Sequence, residues 1–163
     1  MRHSKVTKKR NIGQDAVYNS MLVNKLANYI MKDGKKTTAQ AQVYGAFEIL
    51  AKSPLATEAD GALSLFEKAI QNVGPKTEIK ARRVGGASYQ IPIEVRGDRR
   101  TSLALRWIIE ASRAKSNKEF HTFSEKLADE IINAAQNEGA AIKKRDNVHR
   151  MAEANKAFSH FRI

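Results

Sequence analysis

The chain has 163 residues, ordinary hydrophobic content, no cysteine and a formal net charge of +12. That length supports one domain with a real core, and the composition excludes global disorder. Disulfides, thiolate zinc sites and cysteine nucleophiles are excluded, and without a run of about 18 apolar residues no membrane-spanning helix is expected.

Residues 1–19 lack helical or strand periodicity and read as a flexible basic arm, with Ile12, Val17 and Tyr18 available for docking. No apolar stretch follows the basic residues, so a secretory signal is not expected. The segment is short for an organellar transit peptide and contains Asp15. A first helix is expected over Ser20 to Lys32, with Ser20 as N-cap, Leu22, Leu26, Tyr29 and Ile30 as its apolar stripe and Gly34 as its stop. Lys35 and Lys36 fall in the following turn. A second helix starts near Thr37 or Thr38, carries Val43, Phe47 and Leu50 inward, and ends at Ser53-Pro54. Gly45 inside it costs about 1 kcal/mol against alanine, which points to a close approach there. Thr57-Glu58-Ala59-Asp60 is a weak capping box for a third helix with Leu63, Phe66, Ile70 and Val73 on one side.

Gly74-Pro75 breaks that helix and launches a β-ribbon, Lys76 to Val84 and Ala87 to Val95, turning at Gly85-Gly86. Lys76, Glu78, Lys80 and Arg82 share one face of the first strand, with Arg83 next to the turn; Tyr89, Ile91, Ile93 and Val95 share one face of the second. Pro92 has no N–H to give to a ladder and belongs at an outward-facing position. A half-apolar face predicts that the base of the ribbon packs on the body while its charged tip stands out as an arm. A lone two-stranded ribbon is marginal in water. For Tyr89, stacking on a nucleotide competes with packing on the body, and packing is favoured because Ile91 and Ile93 share its face.

The fourth helix is expected over Asp98 to Ala114, with Leu103, Trp107 and Ala111 inward, Ala104 and Ile108 beside them, and Arg99, Arg100 and Arg106 on the other side. The fifth is expected over Asn117 to Glu138, with Phe120, Phe123, Leu127, Ile131 and Ala134 inward, Glu125, Asp129 and Glu130 on its polar face, and Gly139 as its stop. The last is expected over Asp146 to Ser159, with Val148, Met151, Ala152 and Phe158 inward and Arg145, Arg150 and Lys156 exposed. The expected fold class is therefore mainly α: a single domain spanning residues 1–163, a six-helix bundle with a protruding two-stranded ribbon (76–95) between helices three and four.

Catalytic and metal chemistry have no foothold. His149 and Glu153 stand one helical turn apart, but no third ligand has motif spacing, and a paired charge on a helix explains them. The Gly85-Gly86 pair is explained by a turn needing positive φ and lacks the helix start of a phosphate-cradling loop. No cofactor is implied.

The charge is segregated. Residues 1–10 carry five Lys or Arg and no acid, residues 76–106 carry eight against three acids, and residues 143–163 carry six against two. A solvated face mixes both signs, so this is an electrostatic footprint for a polyanion. Three readings follow: an RNA-binding structural protein, an architectural DNA binder with Pro92 as a wedge, and an RNA-modifying enzyme. The third lacks any motif, and no segment reads as a recognition helix for base readout. Charge and periodicity favour the first.

Longer motifs carry a resemblance. Asp33-Gly34-Lys35-Lys36-Thr37, then Arg82-Arg83-Val84-Gly85-Gly86 with Tyr89-Gln90-Ile91-Pro92-Ile93-Glu94-Val95, resemble the S-seven family of small-subunit ribosomal proteins. So do Arg99-Arg100 with Leu103-Ala104-Leu105-Arg106-Trp107, and Lys143-Lys144-Arg145 with His149-Arg150-Met151-Ala152-Glu153-Ala154-Asn155-Lys156-Ala157-Phe158. The match runs through residues 18–163 in the family's order, and the bacterial and organellar branch fits best.

The resemblance implies the six-helix bundle with its ribbon and a non-enzymatic role. It implies binding to the 3′ major domain of small-subunit ribosomal RNA, nucleation of head assembly, and a place near the exit tRNA site and the mRNA path. Carried over by position, Lys35 and Lys36 match first-loop lysines that meet RNA, and Lys76, Lys80, Arg82 and Arg83 match the ribbon's RNA face. Arg99, Arg100, Lys143 and Lys144 stand in matching motifs and join the rRNA-binding set. Lys5, Lys8, Lys9 and Arg10 join it as counterparts of the family's basic start, which residues 1–17 match in character only. Arg82, Arg83, Val84, Gly85 and Gly86 match the tip near the exit-site tRNA, and Arg150 and Asn155 match final-helix positions approaching the same tRNA. The implied partners are small-subunit rRNA, exit-site tRNA, mRNA, and other head and platform ribosomal proteins. The implied state is a monomer within cytoplasmic ribosomes, with no membrane. The loop Ser53 to Asp60 and helix five depart from the family in sequence.

Overall fold

A computed structural model describes residues 12–56 and 61–161. Within it run α1 (Met21–Ile30), α2 (Lys36–Ala51), α3 (Gly61–Val73), β1 (Thr77–Val84), β2 (Ala87–Glu94), α4 (Gly97–Ala114), α5 (Phe123–Ala135), α6 (Ala140–Ala154) and a 3-10 helix, Lys156–Phe161. Among the described residues the chain is mainly helical, with six α-helices and a two-stranded antiparallel sheet between α3 and α4, as expected. The proposed capping box at 57–60 and the basic residues Lys5, Lys8, Lys9 and Arg10 lie outside the described residues.

Helix α5 is the centre of the bundle and packs against α2, α3 and α4. Leu127, Ile131 and Ala134 on α5 are fully buried with Phe47 of α2, Phe66 of α3 and Ile108 of α4. Burying each of the larger apolar side chains contributes roughly 1.5–3 kcal/mol. The Phe47 and Phe66 rings meet edge-on at 5.4 Å. The close approach expected at Gly45 is between α2 and α5: a Cβ there would lie 3.1 Å from the Ser124 hydroxyl.

Several expectations need correction. On α1 the buried residues are Val23, Leu26, Ala27 and Ile30, while Tyr29 is exposed. That seam faces α2 and α4, the helices α1 packs against. The segment before α1, residues 12–20, is a built turn and not part of a flexible arm. Asp15 is buried; its carboxylate accepts from the Val17 and Tyr18 amides at 3.1 and 3.2 Å and from the Tyr44 hydroxyl at 2.9 Å. Tyr18 then packs its ring 4.8 Å from Phe47.

Helix α5 begins six residues later than expected. Thr122 caps it, accepting from the Glu125 amide while Glu125 reaches back to the Thr122 amide, a complete capping box. The Thr122 and His121 amides donate to the Glu125 carboxylate and lower its pKa. Phe120 therefore precedes the helix, its ring 5.6 Å from the Lys115 ammonium.

Helix α6 begins six residues earlier than expected, so Lys143, Lys144 and Arg145 are helical. It ends at Ala154, and the chain tightens into the 3-10 helix that carries Phe158. Met151 is exposed and Arg145 half-buried, the reverse of expectation. Glu130 is not on a solvated face. It is 1 % exposed, accepts from the Ala141 amide at 2.9 Å and pairs with Lys115 at 2.9 Å. A carboxylate from mid-α5 thus satisfies the N-terminus of α6.

In the ribbon, Val84 pairs with Ala87 across Gly85-Gly86, whose φ values are +58° and +91°. A two-residue turn of this kind requires positive φ at both positions. The register pairs Glu78 with Ile93, Lys80 with Ile91 and Arg82 with Tyr89. The charged face of β1 and the apolar face of β2 are therefore one and the same face of the ribbon. It looks toward the body: Ile91, Val95 and Glu78 are buried, and the Tyr89 ring packs 5.3 Å from Phe158. Pairs alternate between bonded and non-bonded along the ladder. Because Val84–Ala87 closes the turn and Val95 N–H donates to the Lys76 carbonyl at 2.9 Å, Pro92 falls at a non-bonded pair with its nitrogen outward. Pro92 is half-buried near the base, not at the tip, so it is misplaced for a DNA wedge.

Candidate nucleic-acid interface

Two cationic patches emerge from this frame. The first is the turn between α1 and α2. Asp33 and Gly34 adopt positive φ of 53° and 72°, reversing the chain tightly. Lys35 and Lys36 follow, both exposed. Helix α2 starts there with no side-chain cap and no acid in its first turn. Its partial positive charge adds to the lysines. Arg113, at the far end of α4, shares a concavity with Lys32 and Lys35 and donates to the Ile30 carbonyl at 3.1 Å.

The second patch is the ribbon with its footing. From Lys80 through Arg83 and from Gly85 through Ser88 the residues are exposed, so the tip stands out from the body. Arg83 Nε donates to the Gly86 carbonyl at 3.3 Å, holding that guanidinium against the turn. Lys76 is exposed at the base. Its backbone N–H donates to His149 Nε2 at 3.0 Å, tying β1 to α6. A ring that accepts at Nε2 is neutral, with its proton on Nδ1. Burial, then the charge of Arg145, lower the His149 pKa from its ordinary value near 6.5, with weaker help from Lys76 and Arg100 and an opposing pull from Asp146.

Not every cation named from the sequence faces outward with its charge available. Arg99 gives Nε and Nη2 to the two oxygens of Glu78, at 2.7 and 2.6 Å. Arg100 gives Nε to the Gly74 carbonyl and Nη2 to the Gln71 carbonyl, both at 3.1 Å, and so caps the C-terminus of α3. Lys144 pairs with Glu110 at 2.6 Å and lies 6.0 Å from the Trp107 ring. Asn155 donates to the Met151 carbonyl at 2.8 Å. Lys143 and Arg150 are exposed on α6. Sequence reasoning missed Glu78 and His149 as parts that hold the ribbon, and Arg145 as a tie between α6 and the end of α3. Arg145 Nη1 reaches the Asn72 carbonyl at 2.7 Å. The one available signal was a carboxylate inside a basic strand.

The patches sit at opposite ends of α4. Arg99 and Arg113 are about 20 Å apart along the helix axis at 1.5 Å per residue. The ribbon reaches further, its eight-residue strands being about 27 Å long.

Among the described residues no group of three His, Asp or Glu is placed to hold a metal ion, and no helix is long and apolar enough to cross a membrane. The concavities near the ribbon are cationic, with Lys76, Arg100, Arg145 and His149 among their lining residues. The arrangement offers cations on a rigid frame and a projecting arm, which is the equipment for binding a large polyanion.

The chain is 51% identical over 155 residues to a small ribosomal subunit protein uS7 of Lactobacillus delbrueckii subsp. bulgaricus, covering 95% of both chains. It is 53% identical to the protein of that name from Streptococcus mutans and 55% identical to that from Thermotoga petrophila, each over 94% of both chains. The family described as ribosomal protein S7p/S5e matches residues 1–156, and with that match over nearly its whole length the chain belongs to that family.

Proposed function

We propose that this protein is a structural, non-enzymatic component of the small ribosomal subunit that binds the 3′ major domain of its rRNA and nucleates assembly of the head. Family membership supports the ribosomal role. The observation that carries RNA binding is the pair of exposed cationic patches at opposite ends of α4, which only a large folded polyanion meets together. Lys35 and Lys36 at one end, and Lys76, Lys80, Arg82, Arg83 and Lys143 at the other, are the proposed phosphate-facing set. Lys5, Lys8, Lys9 and Arg10 extend it. Arg99, Arg100 and Lys144 stand behind that set: Arg99 and Lys144 are paired with carboxylates, and Arg100 caps the end of α3. The ribbon tip, Arg82 to Gly86, together with Arg150 and Asn155, is proposed to lie beside the exit-site tRNA and the mRNA path. Other head and platform proteins would be its neighbours, with the chain monomeric in bacterial cytoplasmic ribosomes.

The test is a titration against small-subunit rRNA and against duplex DNA of equal length at several salt concentrations. Preference for the rRNA by orders of magnitude that persists at high salt is expected. Equal binding to both, erased by salt, would sink the reading.

A further inference from the structure

A two-stranded ribbon cannot set its own angle to a body. This one leaves through Gly74-Pro75 and returns through Val95-Arg96, and its packing contacts are with α6 and the 3-10 helix. Helix α6 in turn packs on α4, and a direct tie between ribbon and α4 would set the ribbon's angle to the axis that relates the two cationic patches.

Arg99 and Arg100 occupy the first turn of α4, where the helix dipole disfavours cations. Arg100 is explained by the α3 carbonyls it caps. It lies so close over Gly74 that a Cβ there would come within 2.8 Å of its Nε. Among the described residues Arg99 is explained by Glu78. That carboxylate's side chain is 11% exposed and sits on the body-facing side of β1, while the Arg99 side chain is 53% exposed. A buried carboxylate requires a partner. A two-point guanidinium–carboxylate pair fixes both the separation and the plane of its members, which a lysine at the same place does not.

We propose that Arg99 is a positioning residue: its paired bonds to Glu78 lock the ribbon's angle to α4, and Arg99 affects RNA binding through the ribbon, not by holding a phosphate. The inference rests on the RNA-binding reading above, but part of its test needs no RNA.

The chain has no cysteine, so spin labels can be placed uniquely at Ser88→Cys on the tip and Ala41→Cys on the exposed side of α2. In that background Arg99→Ala is expected to broaden the tip-to-body distance distribution while helical content by circular dichroism is kept. Its affinity for small-subunit rRNA should fall about tenfold with the salt slope unchanged. Glu78→Gln is the sharper variant. It removes the lock but leaves Arg99 in place with its charge released. Positioning predicts the same broadening and weaker RNA binding. A phosphate-holding Arg99 predicts unchanged or tighter binding for Glu78→Gln, and a slope lowered by about 0.7–0.9 for Arg99→Ala. Either of those results, or an unchanged distance distribution in both variants, overturns the proposal. Failure of the parent protein to bind rRNA would sink the functional reading and leave the distance result standing.

Discussion

His149 shows how a single side chain ties the arm to the bundle. It accepts the Lys76 N–H only when neutral, and the groups facing it favour that state: burial first, then Arg145, Lys76 and Arg100, opposed by Asp146. The unfolded chain takes up this proton near pH 6.5, the folded chain at a lower pH. Between those values the unfolded state binds more protons, so stability falls as the pH drops through that window and levels below it. Above about pH 6.5 the contribution is complete. His149→Gln keeps an acceptor and removes the titration. Urea midpoints measured from pH 7.5 to pH 5 should therefore fall less in His149→Gln than in the parent, and parallel curves would show that this ring is not responsible. None of this was legible beforehand. The sequence shows a histidine one turn from Glu153, but its partner is a backbone amide 73 positions away in the chain. Glu78 was hidden for a similar reason: its role appears only once the turn pairs even positions of β1 with odd positions of β2.

Elements were legible where their ends are chosen locally. Ser20 caps α1 as expected, its hydroxyl accepting from the Leu22 amide, and the glycine pair turns the ribbon. The start of α5 was readable in Thr122-Phe123-Ser124-Glu125 but was masked by the good helix formers before it. The start of α6 was not readable, because its cap comes from another helix. Gly139, taken as a stop, is the residue before α6; its φ is +93°, and a Cβ there would lie 2.9 Å from Glu130 Oε1. Glu130 thus holds three things at once: the α6 amide, Lys115 and the tight corner. Glu130→Ala leaves Lys115 half-buried beside Asp129 and the Ala141 amide without its acceptor. The expected loss is about 3 kcal/mol, or roughly 6–12 °C in Tm for a chain of this size. Hydrogen exchange should speed up most in the first turn of α6. A Tm within 2 °C of the parent would mean that the corner holds without its carboxylate.

At the scale of the molecule, segregated charge and long motifs announced an RNA-binding ribosomal protein, while the distance between patches had to come from the fold. That distance makes a prediction neither patch makes alone. Helix α4 is a rigid spacer, so Lys35 and Lys36 at one end and Arg82 and Arg83 at the other should engage one folded RNA together. Each lost phosphate contact lowers the salt slope by about 0.7–0.9. Lys35→Ala with Lys36→Ala should therefore lower it by up to about 1.8, and Arg82→Ala with Arg83→Ala by a similar amount. On small-subunit rRNA the fourfold variant should show the sum of the two decrements, because the patches contact separate phosphates and share no partner. An RNA hairpin too short to reach from one patch to the other should behave differently. It can occupy only one patch at a time, so removing either patch merely moves it to the other, and its slope changes little until both are gone. Additive decrements on the short hairpin, or a fourfold variant no worse than either double variant on the long RNA, would show that the patches do not act across the helix that separates them.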